Sequence, residues 1–265
     1  MSYRTKATKW DMLTAISCLV FMLLTMGAFN GRGRAHAKKM VCLTNVRQLA
    51  HAWLLFANDH DDKLVNGAVG YSNAKFSWGD HTDELAWVDS ISSNPEGDIR
   101  GIRDGALWPY LKDHNIYRCP VALRNEMLTY AIMFSMNAVC HTEVQRVPGA
   151  HVKKLTEIQN PEQRLVFIDE GKITPDAFAV RYSLEQWWDG PPIRHSDGTT
   201  VSFADGHSEH WKWKGVDTVR YGWETENSGS RQRIPETEPG FQDLYRMQKG
   251  CWGGLGYSPS YVPRY

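Results

Sequence analysis

The chain has no net charge: 30 Lys and Arg balance 30 Asp and Glu across 265 residues. Nucleic acid is bound largely through its phosphates, and neither a basic excess nor a basic stripe studded with aromatics is present, so nucleic acid is excluded as a partner class. Catalytic signatures are missing as well. There is no G-x-S-x-G turn, no phosphate-cradling P-loop, no H-E-x-x-H and no dinucleotide fingerprint. The acidic pairs Asp61-Asp62 and Asp83-Glu84 sit in polar stretches where solvated charge accounts for them. The sequence therefore reads as non-enzymatic. Cysteine is sparse: five residues, of which Cys18 falls in an apolar run, leaving Cys42, Cys119, Cys140 and Cys251 without a C-x-x-C pair. That spacing carries no zinc signature. Four dispersed thiols in an exported domain allow two bridges in three connectivities, or four buried small apolar side chains.

One long apolar run is present. Met12 to Phe29 is 18 residues without a charge, headed by Asp11. As a helix it reaches roughly 27 Å, close to the hydrocarbon thickness of a bilayer. A cleavable secretory signal fits its basic start (Arg4, Lys6, Lys9) and the Ala35-His36-Ala37 site, but the core is too long and Arg32 and Arg34 crowd the cleavage region. The run reads as a retained membrane anchor, and a carboxylate at its head reads as a functional group seeking a partner. Beyond it Leu43, Val46, Leu49, Trp53 and Phe56 recur at helical spacing up to Asn58-Asp59-His60. Gly27, Asn30, Gly31 and Gly33 predict a bend or a melted turn between the two halves.

The remaining roughly 235 residues are enough for one domain with a sizeable core. Residues 63 to 118 read as irregular, apart from a short helix near Gly105 to His114 that turns Leu107, Tyr110 and Leu111 inward. Leu165-Val166-Phe167-Ile168 after Asn160-Pro161 reads as a buried strand. Thr199 to Ala204 and His207 to Trp213 flank Asp205-Gly206 and predict a two-residue type I′ hairpin, with Ala204 opposite His207 and Ser202 opposite Glu209. The predicted organisation is an anchor and stem helix over 1–60, an α+β head over 61–226 and a Gly-, Pro- and Tyr-rich extension over 227–265. The 11 Trp residues are expected mostly in the core, with a glycan-stacking surface as the alternative.

Asp169, Glu170, His195, Asp205 and His207 are ligand-type residues near strand ends. A strand of about 20 Å separates His195 from Asp205, so the two cannot share an ion. If the strand at 165–168 runs antiparallel to that at 199–204, Asp169 and Glu170 approach His195 and form a divalent-cation trio; if parallel, they approach Asp205 and His207. Without a cation, Asp205 shapes its turn, His195 bonds a loop and the acids cap backbone amides.

Five pieces occur in order: the apolar helix, Val41-Cys42-Leu43-Thr44-Asn45-Val46-Arg47-Gln48-Leu49, Tyr117-Arg118-Cys119-Pro120, Phe167-Ile168-Asp169-Glu170, and Arg194-His195 followed after nine residues by Asp205-Gly206-His207. This set resembles the prepilin-type, pseudopilin-like proteins of the planctomycete kind that carry a C-terminal H-X9-DG domain, over most of residues 7 to 213. The resemblance implies a pilin-like α+β fold, a long transmembrane and amphipathic helix packed on a small antiparallel sheet with aromatic-rich loops. It implies a subunit of a type IV pilus-like or type II secretion-like assembly, single-pass in the inner membrane with the head periplasmic or extracellular. The implied partners are itself, other pilin-like subunits and lipid. Asp11 is then the acid that neutralises a neighbouring subunit's amino terminus; Cys42 and Cys119 are then a disulfide tying stem to head; His195, Asp205 and Gly206 are the motif residues. The chain departs from the family at the processing site, where Lys6-Ala7-Thr8-Lys9-Trp10 is a poor prepilin-peptidase substrate. The amino terminus is thus expected to stay uncut, with Lys6 or Lys9 beside Asp11. The competing functions are a tethered glycan- or ligand-binding domain and a metal-dependent exported enzyme.

Overall fold

A computed structural model describes residues 8–92, 94–171, 177–228 and 232–264, with backbone alone at 23–30 and 226–228. It is an α+β protein built on one long helix, α1 (Lys9–Asp59), and a four-stranded antiparallel sheet. The sheet order is β3 (Tyr130–Ile132), β4 (Leu165–Asp169), β5 (Gly198–Phe203) and β6 (Ser208–Lys212). Upstream lie a two-stranded ribbon, β1 (Lys75–Phe76) with β2 (Gly79–Asp80), and two short helices, α2 (Pro95–Asp104) and α3 (Trp108–Leu111). Downstream come α4 (Val216–Ser228) and α5 (Glu238–Trp252).

Helix α1 has two different halves. Over 42–57 its Cys42, Val46, Leu49, Trp53 and Ala57 are buried in the head, at the three- and four-residue spacing of one helical face. Each large side chain buried there contributes roughly 1.5–3 kcal/mol. Over 10–22 the apolar side chains are exposed, Trp10 at 78 %, Met12 at 62 % and Phe21 at 69 %. The predicted melted turn is absent, since the helix runs unbroken through Gly31 and Gly33. Among the described residues no helix is long and apolar enough to cross a membrane. The side chains at 23–30, part of the predicted anchor, lie outside that set, as do Lys6 and Ala7, between which a prepilin-type cut would fall. The helix start is fixed locally. Thr8 caps it, its N–H and hydroxyl each donating to Asp11 Oδ2 at 2.8 Å while the Asp11 N–H donates back at 3.3 Å. Asp11 therefore already has a partner within its own first turn, where free amides require one.

The antiparallel pairing of β4 with β5 resolves the strand-direction alternative in favour of Asp169 near His195. The β5–β6 register differs from the expected one by a residue: Ser202 faces Ser208 and Val201 faces Glu209. The connection is a three-residue loop closed by a Phe203–His207 backbone bond (3.0 Å) and a Gly206–Phe203 bond (2.9 Å), with positive φ at Gly206 (+92°) and not at Asp205. A type I turn followed by a left-handed glycine satisfies Asp-Gly as well as a type I′ turn does, and the slip reverses every face assignment in β6. Phe203 accordingly stacks on His207 (4.1 Å between centroids) and meets Trp211 edge-on.

Residues 227–265, read as an extension, hold α5, whose Leu244, Met247, Gly250, Cys251 and Trp252 are buried. Gly250 lies so close to Leu165 of β4 that an added Cβ would come within 2.7 Å of it. The sheet is thus covered by α1 on one side and α5 on the other. Much of the Trp is internal: Trp53, Trp87, Trp187, Trp211, Trp213 and Trp252 are buried, and Trp87 stacks on Tyr117 and meets Phe167 edge-on.

Candidate metal centre

Four chain segments meet beneath the stem. Cys42 comes from the buried face of α1, Cys119 from the bend after a 3₁₀ turn at His114–Tyr117, Asp169 from the last position of β4, and His195 from the loop before β5. One ligand-type atom from each lies within 4.8 Å of all the others. The Cys42 thiol is 3.2 Å from Asp169 Oδ2, Cys119 Sγ is 3.1 Å from His195 Nε2, and that same Nε2 is 3.9 Å from Asp169 Oδ2. All are sealed from solvent: the two cysteines and Asp169 are fully buried and the His195 side chain is 2 % exposed.

Local structure explains the convergence. Asp169 pairs with Tyr130 across the sheet, so the Tyr130 hydroxyl reaches the same sulfur and donates to Cys42 at 3.3 Å. Thr200 on β5 brings its hydroxyl within 2.8 Å of that sulfur. Asn45, one turn after Cys42 on the same helix face, donates to Arg118 O at 3.0 Å and to Tyr130 OH at 3.4 Å, pinning the segment that carries Cys119. His195, Ser196 and Asp197 all have positive φ, giving a tight bend closed by reciprocal Arg194–Gly198 bonds that turns His195 back toward the sheet end.

The dry surroundings hold Cys42, Asp169 and His195 toward their neutral forms. Burial pushes the Cys42 thiol well up, with Cys119 and Asp169 beside it adding to the shift. Burial also raises Asp169, against the opposing pull of Arg194. His195 is pushed down to about 4, first by burial and then by His210, Arg194 and Lys39.

Of the expected trio, Asp169 and His195 meet as the antiparallel reading required; Glu170, just beyond the end of β4, is not among the four, and two sulfurs join the pair instead. Cys42 and Cys119 adjoin one another, as the resemblance implied, but as free thiols. Cys140 and Cys251 are free too. Asp205 and Gly206 lie at the far end of β5, where Asp205 accepts from His207 and Gly206 contacts His51 of α1. Spacing could not reveal the group of four, because its members come from four distant segments; the separate cysteine and acid–histidine pairings were the available clues.

Cys119 and Asp169 both address the same imidazole nitrogen. A nucleophile–base–carboxylate relay needs them on opposite ring nitrogens, whereas a coordinating set points all its atoms at one centre. No family model matches the chain, and no curated protein or solved structure matches it.

Proposed function

We propose that this protein is a pilin-like assembly subunit, anchored in the membrane by the first half of α1 and presenting the α+β head on the outside. The observation that carries the reading is the asymmetry of α1. A single helix buries the face of its second half in the head and leaves Trp10, Met12, Leu13, Ile16, Leu19 and Phe21 of its first half bare. A contiguous apolar surface of that kind calls for lipid or for the stems of neighbouring subunits. The uncharged sequence continues to Phe29. Asp11 stands at the head of this surface with its carboxylate exposed, so it can bond Thr8 and still meet a cation from an adjacent stem. A structural rather than catalytic role agrees with the sealing of the four-residue cluster, which leaves a substrate no approach.

Membrane extracts of the full chain in mild detergent are expected to contain higher-order species or short filaments, visible by negative-stain microscopy, that Asp11→Ala reduces. Recovery of the wild-type chain as a monomer in the aqueous fraction would overturn the reading.

A further inference from the structure

We propose that Cys42, Cys119, Asp169 and His195 bind one zinc ion, in a closed structural site that fastens the stem helix to the sheet. The number and kind of donors fit. Two sulfurs, one imidazole nitrogen and one carboxylate oxygen form a four-ligand set of the soft and borderline type that selects zinc over calcium or magnesium. The spacing fits as well. Zinc bonds of about 2.0–2.3 Å place tetrahedral donors roughly 3.5 Å apart; three of the six donor separations, 3.1, 3.2 and 3.9 Å, straddle that value, and all six lie within 4.8 Å.

A second observation points the same way. Asp169 is fully buried, and its Oδ1 has no hydrogen-bond partner among the described residues. Its Oδ2 is the oxygen that faces Cys42 and His195, and with Oδ1 unpartnered the buried carboxylate lacks the donors to hold it as an anion, a deficit that a cation at Oδ2 offsets. A Cys42–Cys119 disulfide would consume both sulfurs and leave the buried carboxylate without a cation. Zinc would engage all four side chains together, Asp169 through Oδ2.

The supporting shell is already in place. The Tyr130 and Thr200 hydroxyls reach Cys42 Sγ and can donate to its thiolate, and Asn45 holds Tyr130 in turn. Two thiolates and a carboxylate around a dication leave one negative charge. Arg194 acts favourably on the Asp169 anion and Glu126, paired with Arg194 at 3.9 Å, acts against it, so one nearby cation partly offsets that residual charge. The site is independent of the membrane reading, because it lies wholly within the head and the start of the stem's buried half.

The test uses the full chain, purified with reductant and without chelator. Elemental analysis is expected to find one zinc per chain. Replacement by cobalt should give thiolate-to-cobalt charge transfer in the near ultraviolet and the intense visible bands of a tetrahedral site. Cys42→Ser and His195→Ala should lose the metal, whereas Glu170→Gln should keep it. Thr200→Ala, which leaves every ligand in place, should weaken zinc retention against a competing chelator roughly tenfold. Substoichiometric zinc in a folded wild-type chain that also fails to give the cobalt spectrum would overturn the proposal. So would a Cys42–Cys119 disulfide in the native protein's peptide map. Loss of metal in Glu170→Gln with retention in His195→Ala would refute this choice of ligands.

Discussion

His151 shows how a single side chain sets a pH limit on the head. Its Nε2 is sealed without a hydrogen-bond partner among the described residues, and the imidazole is pushed down to about 4, first by burial and then by Lys153, His81 and Arg164, with Glu84 opposing. The folded chain therefore keeps His151 neutral at a pH where the unfolded chain protonates it. Its contribution is fully present above the ordinary imidazole value near 6.5 and is lost as pH falls from there toward 4. At about 1.4 kcal/mol per pH unit, the loss reaches roughly 2 kcal/mol at pH 5. His151→Gln should remove that part of the slope. Urea denaturation at pH 7 and pH 5 checks it: the wild type should lose about 2 kcal/mol more than the variant, and an equal loss in both would show that His151 does not titrate on unfolding.

Strand β5 gives the nine-residue motif spacing its meaning. His195 sits in the bend before the strand and Asp205-Gly206 in the loop after it, so the motif residues mark the two ends of one element about 20 Å long. Each end touches α1, His195 through the cluster that contains Cys42 and Gly206 through His51, so β5 lies along the stem and is fastened at both ends. Gly206 adopts φ +92°, and an added Cβ would sit 2.9 Å from the His51 ring. Gly206→Ala should cost about 1–2 kcal/mol, mostly from the left-handed backbone, because the exposed His51 ring can move. In a His51→Ala background the cost should fall toward about 1 kcal/mol, and denaturation midpoints of the four variants in the cycle measure both terms. Elements of this kind were legible to different degrees. The buried face of α1 and the strand at Leu165 announced themselves by period and by unbroken apolar character. The β5–β6 register did not, since Asp-Gly serves two loop lengths. Helix α5 was hidden by its own first turn: Pro239 and Gly240 look like loop formers, yet Thr237 accepts a hydrogen bond from the Gly240 amide at the helix start, where proline is welcome. Gly240 is needed for close approach, as a Cβ there would meet the Asp217 carboxylate at 2.3 Å.

At the scale of the whole molecule, the head and the projecting half of α1 are held by different means. From Cys42 onward one face of α1 shares the core with the sheet, α5 and the Trp87–Tyr117 stack, so unfolding that half of the helix entails unfolding the head. Residues 31–38 are exposed and bury nothing against it, and they carry Arg32, Arg34 and Lys38. A helix without tertiary packing opens locally at little free-energy cost, and protease cleavage of such a region follows its opening equilibrium. Limited trypsin digestion in detergent should therefore cut first within 32–39 and release a head fragment. That fragment should keep the near-ultraviolet circular dichroism of its buried Trp residues and, with Cys42 retained, all four members of the cluster. Early cleavage inside the head, or a released fragment without tertiary signal, would show instead that the projecting half of α1 contributes to the stability of the fold.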